Sequence, residues 1–169
     1  MERLLREVQS KWQDITSALI SRNMSITTME SCTSGLIASL ITDTEGASSI
    51  FKGADVTYSN GAKIAAGVPE MIIKLYGVYS KETAMAMAST CKHNYGTDLG
   101  IGVTGTTGNI DPENTENSIP GVVFFAIAMK DETIIKEIKV SAETRFEYKL
   151  KIADKIADEL LHQEFIRYY

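Results

Sequence analysis

Ser31 and Lys63 are the two residues whose types could together make and break an acyl bond. A serine hydroxyl attacks a carbonyl only when a base takes its proton. The chain holds two histidines. The helical pattern puts His93 late in a helix and His162 near the C-terminal end, where solvation or dipole pairing accounts for them. A Ser–His–Asp arrangement is therefore poorly served. A lysine substitutes for histidine when partial desolvation leaves its amine neutral at working pH. Read alone, Lys63 also fits a solvated helix lysine.

Ser31 lies in Ile26-Thr27-Thr28-Met29-Glu30-Ser31-Cys32-Thr33-Ser34-Gly35-Leu36-Ile37-Ala38. A β-branched strand gives way there to small hydroxyl residues and then to an apolar run with the length of a helix. This predicts Ser31 at a helix N-terminus, where unpaired N–H groups accept anions. The same position suits a plain N-cap. Consecutive parallel strands end on one edge of a sheet. Tyr58, Asn60 and Lys63 follow the second strand and so are expected to face Ser31. Tyr58 could relay a proton or hold Lys63, or pack as a strand aromatic. Thr104-Gly105-Thr106-Thr107-Gly108-Asn109 leaves a third strand at that edge. Its amides could hold an anion, or it could simply connect. Arg145 opens the last helix and could clamp a phosphate or carboxylate, or pair with Glu143 or Glu147. Gly100-Ile101-Gly102-Val103-Thr104-Gly105 matches G-x-G-x-x-G, but the glycines fall within a strand. Close packing explains them better than a dinucleotide fingerprint.

The elements that must position these residues follow from periodicity. Helices are predicted over 1–22, 35–42, 69–75, 81–94 and 144–166. A short helix carrying Lys63 is capped by Asn60 and stops near Gly67. Pro69 is expected in a helix first turn, and Ser80 caps the helix over 81–94. Strands are predicted over 24–29, 54–58, 99–103, 122–129 and 133–140. Strands alternating with helices, closed by a hairpin, give one domain over 1–169, a three-layer α/β sandwich with a mixed sheet. An apolar stripe on the first helix could pack Trp12 on its own domain or on another subunit; a homo-oligomer of unassigned symmetry is expected by analogy alone.

The chain has 169 residues, net charge −5, 44% hydrophobic and 23% charged residues. That is an ordinary globular composition. The acidic balance argues against nucleic-acid binding. No apolar run approaches the ~20 residues of a membrane span, and the first residues lack a signal-peptide core. Two cysteines, Cys32 and Cys91, show no metal spacing. A cytoplasmic location is the expectation.

Two motifs carry a resemblance. Thr28–Leu36 closely resembles the "AESCTGG" signature of the CinA C-terminal domain family, and Val56–Lys63 resembles its "VTYSNEAK" signature. Gly67-Val68-Pro69, Gly77-Val78-Tyr79-Ser80 and Val103–Gly108 fall in the family's order. The resemblance implies a metal-free amidohydrolase without cofactor, similar to nicotinamide-nucleotide amidases. These hydrolyse the carboxamide of a pyridine mononucleotide to the carboxylate and ammonia. It implies Ser31 as nucleophile, Lys63 as base and Tyr58 beside them. Thr33, Ser34, Gly35, Asn60, Thr104, Gly105, Gly108 and Arg145 are then the expected substrate-binding residues.

The chain departs from the family at Ser34, where the signature has glycine; a hydroxymethyl group there is expected to narrow the space beside Ser31. The family's "GIAGPxGG" loop is replaced by Gly105–Glu113, which gains acids, and "KPVG" is reduced to Ser118-Ile119-Pro120-Gly121. Acids beside a phosphate site repel it. The departures imply altered substrate preference, weak activity, or a binding or interaction module that keeps the fold without catalysis.

Overall fold

The computed structural model describes residues 1–167. The chain runs α1 (Glu2–Ser21), β1 (Ile26–Glu30), α2 (Leu36–Thr42), β2 (Phe51–Val56), α3 (Asn60–Ala65), α4 (Glu70–Tyr76), α5 (Lys81–Tyr95), β3 (Leu99–Gly105), β4 (Val122–Ala128), β5 (Thr133–Lys139), α6 (Arg145–Leu161) and α7 (Glu164–Arg167). The strands form one mixed sheet in the order β2-β1-β3-β4-β5. The strands β2, β1 and β3 are parallel, and β3-β4-β5 is antiparallel.

Both faces of the sheet are covered, and the side-chain alternation along β3 and β4 shows how. Leu99, Ile101 and Val103, with Val123, Phe125 and Ile127, point into a core shared with Val8, Trp12 and Leu19 of α1, Ile37 and Ile41 of α2, and Ile152 and Ile156 of α6. The opposite face carries small residues beside Phe124: Gly100 and Gly102 on β3, Ala126 and Ala128 on β4. They admit α5 to close range, with Ala84 and Ala88 against Ala126 and Ala128. A Cβ on Gly100 would stand 2.3 Å from the carbonyl oxygen of Ala88, and one on Gly102 would stand 2.3 Å from that of Ala84. The strand glycines therefore serve backbone approach, and no helix follows them to hold a dinucleotide. The architecture is the expected α/β sandwich with a mixed sheet.

Several boundaries differ from those predicted, each for a local reason. β2 stops at Val56 and not Tyr58: the Thr57 N–H to Glu30 O bond at 2.8 Å is the last one joining it to β1, and Tyr58 beyond it is exposed. Tyr58 is therefore a loop residue and 61% exposed, not a strand aromatic in the core. Ser59, not Asn60, caps α3: its hydroxyl accepts the Ala62 N–H at 3.1 Å. Pro69 is the N-cap of α4, one place before the first turn. The pattern over 144–166 divides at the end of α6, leaving α7 as a separate turn. Trp12 is fully buried within its own chain, and its indole N–H donates to Ala153 O at 3.1 Å. It offers no surface to another subunit.

Candidate active site

The parallel strands β1, β2 and β3 end together, and the chain segments that leave them meet. Ser31 follows β1 directly and its N–H donates to Val103 O at 3.0 Å, so β3 fixes the start of the turn. Thr57, tied to Glu30, follows β2. Lys63 lies one turn into α3 and reaches back beneath it. Its Nζ donates to Ser31 Oγ at 3.0 Å and to Thr57 O at 2.8 Å. Lys63 is 1% exposed and Ser31 4%. Lys63 makes no ion pair among the described residues. Burial lowers its ammonium to about 8. A hydroxyl hydrogen-bonded to a largely desolvated amine is a nucleophile–base arrangement.

The turn after Ser31 is held by a residue the sequence reading passed over. The Glu30 side chain is fully buried. It accepts the N–H groups of Gly35 at 2.9 Å, Ile37 at 3.2 Å and Ala38 at 2.9 Å, and the Thr28 hydroxyl at 3.1 Å. Glu30 is thus the anion at the N-terminus of α2. This corrects the expectation that Ser31 sits at that N-terminus: α2 starts at Leu36 with Gly35 as its N-cap, and its orphan amides are already taken. The amides of Cys32 and Thr33 within the turn make no backbone hydrogen bond among the described residues. The acidic residue just before the serine was the available signal, since a buried carboxylate there needs several donors.

Ser31 and Cys32 open into a cavity of about 500 Å³, walled by Tyr58, Ser59, Asn60, Tyr79, Gly105–Thr107, Asn109–Asn114 and Arg145. The Arg145 guanidinium donates to the Tyr58 hydroxyl at 3.0 Å. It pairs with neither Glu143 nor Glu147; the latter bonds Lys151 at 2.7 Å. Asn60 donates to Asn114 Oδ1 at 2.9 Å, joining α3 to the loop that roofs the cavity. Asp111 in that loop accepts from Tyr79 Oη at 2.5 Å and from Asn114 Nδ2 at 2.6 Å. Those donors hold its carboxyl below the usual range, and burial together with the same bond drives the Tyr79 phenol upward.

Of the expected binding residues, Asn60, Gly105 and Arg145 line the cavity and five do not. Thr33 is buried behind the turn, its hydroxyl without a partner among the described residues. Gly35 begins α2, with its N–H on Glu30. Thr104 faces away, its hydroxyl on Val78 O at 2.9 Å. Gly108 lies against the ring of Tyr148. Ser34 is exposed and outside the cavity lining, and its hydroxyl turns back to donate to Ser31 O at 3.4 Å. What serine changes there is the backbone: its φ of 53° is in the left-handed region that glycine adopts freely. Neither cysteine is in a disulfide, and burial pushes both thiols up to about 12, which disfavours the thiolate.

The family model for the CinA C-terminal domain matches residues 8–163. A CinA-like protein of Dictyoglomus turgidum is 35% identical over 131 residues, 76% of this chain and 31% of that protein. Another, of Dictyoglomus thermophilum, is 32% identical over 158 residues, 85% of this chain and 38% of that protein. The chain spans about a third of the length of these curated relatives. The competence/damage inducible protein CihA of Agrobacterium tumefaciens superposes with a TM-score of 0.82 at 25% identity, over 91% of this chain and 93% of that one. A CinA-superfamily protein of Klebsiella pneumoniae, 20% identical, shares the fold with a TM-score of 0.85, over 96% of this chain and 99% of that one. With the family model covering nearly all of its length, this chain belongs to the CinA C-terminal domain family.

Proposed function

We propose that this chain is an amidohydrolase that cleaves the carboxamide of a pyridine mononucleotide, with Ser31 as nucleophile and Lys63 as base. The observation that carries the reading is the buried 3.0 Å contact between Lys63 Nζ and Ser31 Oγ. Neutral Lys63 takes the hydroxyl proton while Oγ bonds to the amide carbon and the carbonyl electrons move to oxygen. Collapse expels the amine, which takes that proton from Lys63 and leaves as ammonia. Water then attacks the acyl-serine ester, passes a proton to Lys63, and Ser31 departs and regains it, leaving the carboxylic acid. The amide of Cys32, which lines the cavity beside Ser31, is the available donor for the oxyanion, a contribution of roughly 3–4 kcal/mol per donor in other enzymes. Arg145 and Asn60 orient the substrate, and Tyr58 holds the guanidinium in place. Ammonia release from nicotinamide mononucleotide, measured for wild type, Ser31→Ala and Lys63→Ala, tests this. Turnover confined to wild type is expected; equal background in all three overturns the reading.

The acidic roof favours a second reading, a module that binds a nucleotide or a protein without turnover. Calorimetric binding of the mononucleotide by wild type, with no ammonia released, would select it.

A further inference from the structure

We propose that Asp111 makes this cavity selective for amides whose ring carries a fixed positive charge. The proposal rests on the amidohydrolase reading for the chemistry, but its basis is the charge layout of the cavity wall. Asp111 makes no ion pair among the described residues. Its carboxylate is fixed instead by neutral donors: Tyr79 Oη at 2.5 Å and Asn114 Nδ2 at 2.6 Å on Oδ2, and Glu113 N–H at 3.0 Å on Oδ1. Most of its acceptor capacity is thereby used. What it still offers a ligand is charge, which suits a pyridinium with no N–H to donate better than an ammonium that wants three acceptors.

The rest of the wall agrees. Tyr58 and Tyr79 line the same cavity, and tyrosine rings attract cations. Glu113 adds a second negative charge, and Arg145 is the wall's one cation. Asp111 is within electrostatic reach of Lys63, and so of the reacting serine that Lys63 bonds. A charged ring presented to Ser31 therefore lies in the field of the carboxylate. The loop's acids, which should deter a phosphate, face instead the part of a pyridine nucleotide that is positive.

The test is calorimetric titration of the Ser31→Ala protein, which separates binding from turnover. The probes are 1-methylnicotinamide (cation), nicotinamide (neutral) and nicotinate (anion). The cation is expected to bind at least tenfold tighter than the neutral amide, and nicotinate weakest. Adding Asp111→Asn is expected to abolish the preference while leaving nicotinamide affinity within twofold, and Asp111→Glu is expected to retain it. Circular dichroism checks that each variant is folded. Equal affinity for cation and neutral amide, no binding of the cation, or an Asp111→Asn loss common to all three probes would overturn the proposal. A cation preference with no ammonia release by wild type would uphold it and sink the hydrolase reading; ammonia release without the preference would do the reverse.

Discussion

Lys63 is the residue on which the chemistry turns, and its burial has two measurable consequences. The base must be neutral, so kcat/KM for the amide is expected to rise with pH and level off above about 8. A profile flat from pH 6 to 9 would remove Lys63 as the base. The second consequence is for stability. Folding lowers the ammonium from 10.5 to about 8, so in that window the unfolded chain binds more protons than the folded one. Stability from this group therefore rises with pH between those values. Compared with Lys63→Met, the wild type is expected to gain up to about 1.4 kcal/mol per pH unit between pH 8 and 10, read from urea unfolding at each pH. The Ser31–Lys63 pairing was legible in the sequence because parallel strands bring their carboxyl ends to one edge. The partners of Tyr79 and Asp111 were not, since no periodicity governs the long segment between β3 and β4.

At the scale of elements, the turn between β1 and α2 depends on Glu30. Its carboxylate satisfies three amides and a hydroxyl, out of water. Glu30→Gln replaces an acceptor with a donor against those N–H groups and is expected to cost about 2 kcal/mol in denaturant unfolding, with loss of turnover as the Ser31 turn relaxes. An unchanged midpoint would show that the turn holds without the charge. Ser34 is the converse case. Its φ of 53° is strained for serine, so Ser34→Gly is expected to stabilise by roughly 0.5–1 kcal/mol, a gain partly offset by glycine's freedom when unfolded. Gly102→Ala is expected to cost more than about 2 kcal/mol, since the new methyl would stand 2.3 Å from Ala84 O. The helix and strand centres were legible from periodicity. Their ends were not, because hydrogen bonds such as Thr57 to Glu30 O join segments far apart in sequence.

For the molecule as a whole, the first helix is part of the core and not an appendage. Trp12 is the chain's one tryptophan and is fully buried against α6, where Lys11 also bonds Asp154 and Asp158 at 2.6 Å each. Its fluorescence is expected to resist aqueous quenchers until global unfolding. Trp12→Ala is expected to cost about 3–5 kcal/mol by leaving a large cavity between α1 and α6. Quenching of the native protein as strong as that of the unfolded chain would mean that α1 is undocked.

The sequence by itself determined the class of the fold, the mixed sheet and the serine–lysine pair. These depend on periods of two and 3.6 and on the direction in which strands end, which are local or topological facts. Tertiary structure alone decided that Glu30 and not Ser31 meets the helix N-terminus, that Ser34 lies outside the cavity lining, and that Asp111 stands ionised on the cavity wall. Each depends on which groups remain to satisfy a buried charge or an orphan amide once the strands have come together, and no spacing along the chain records that.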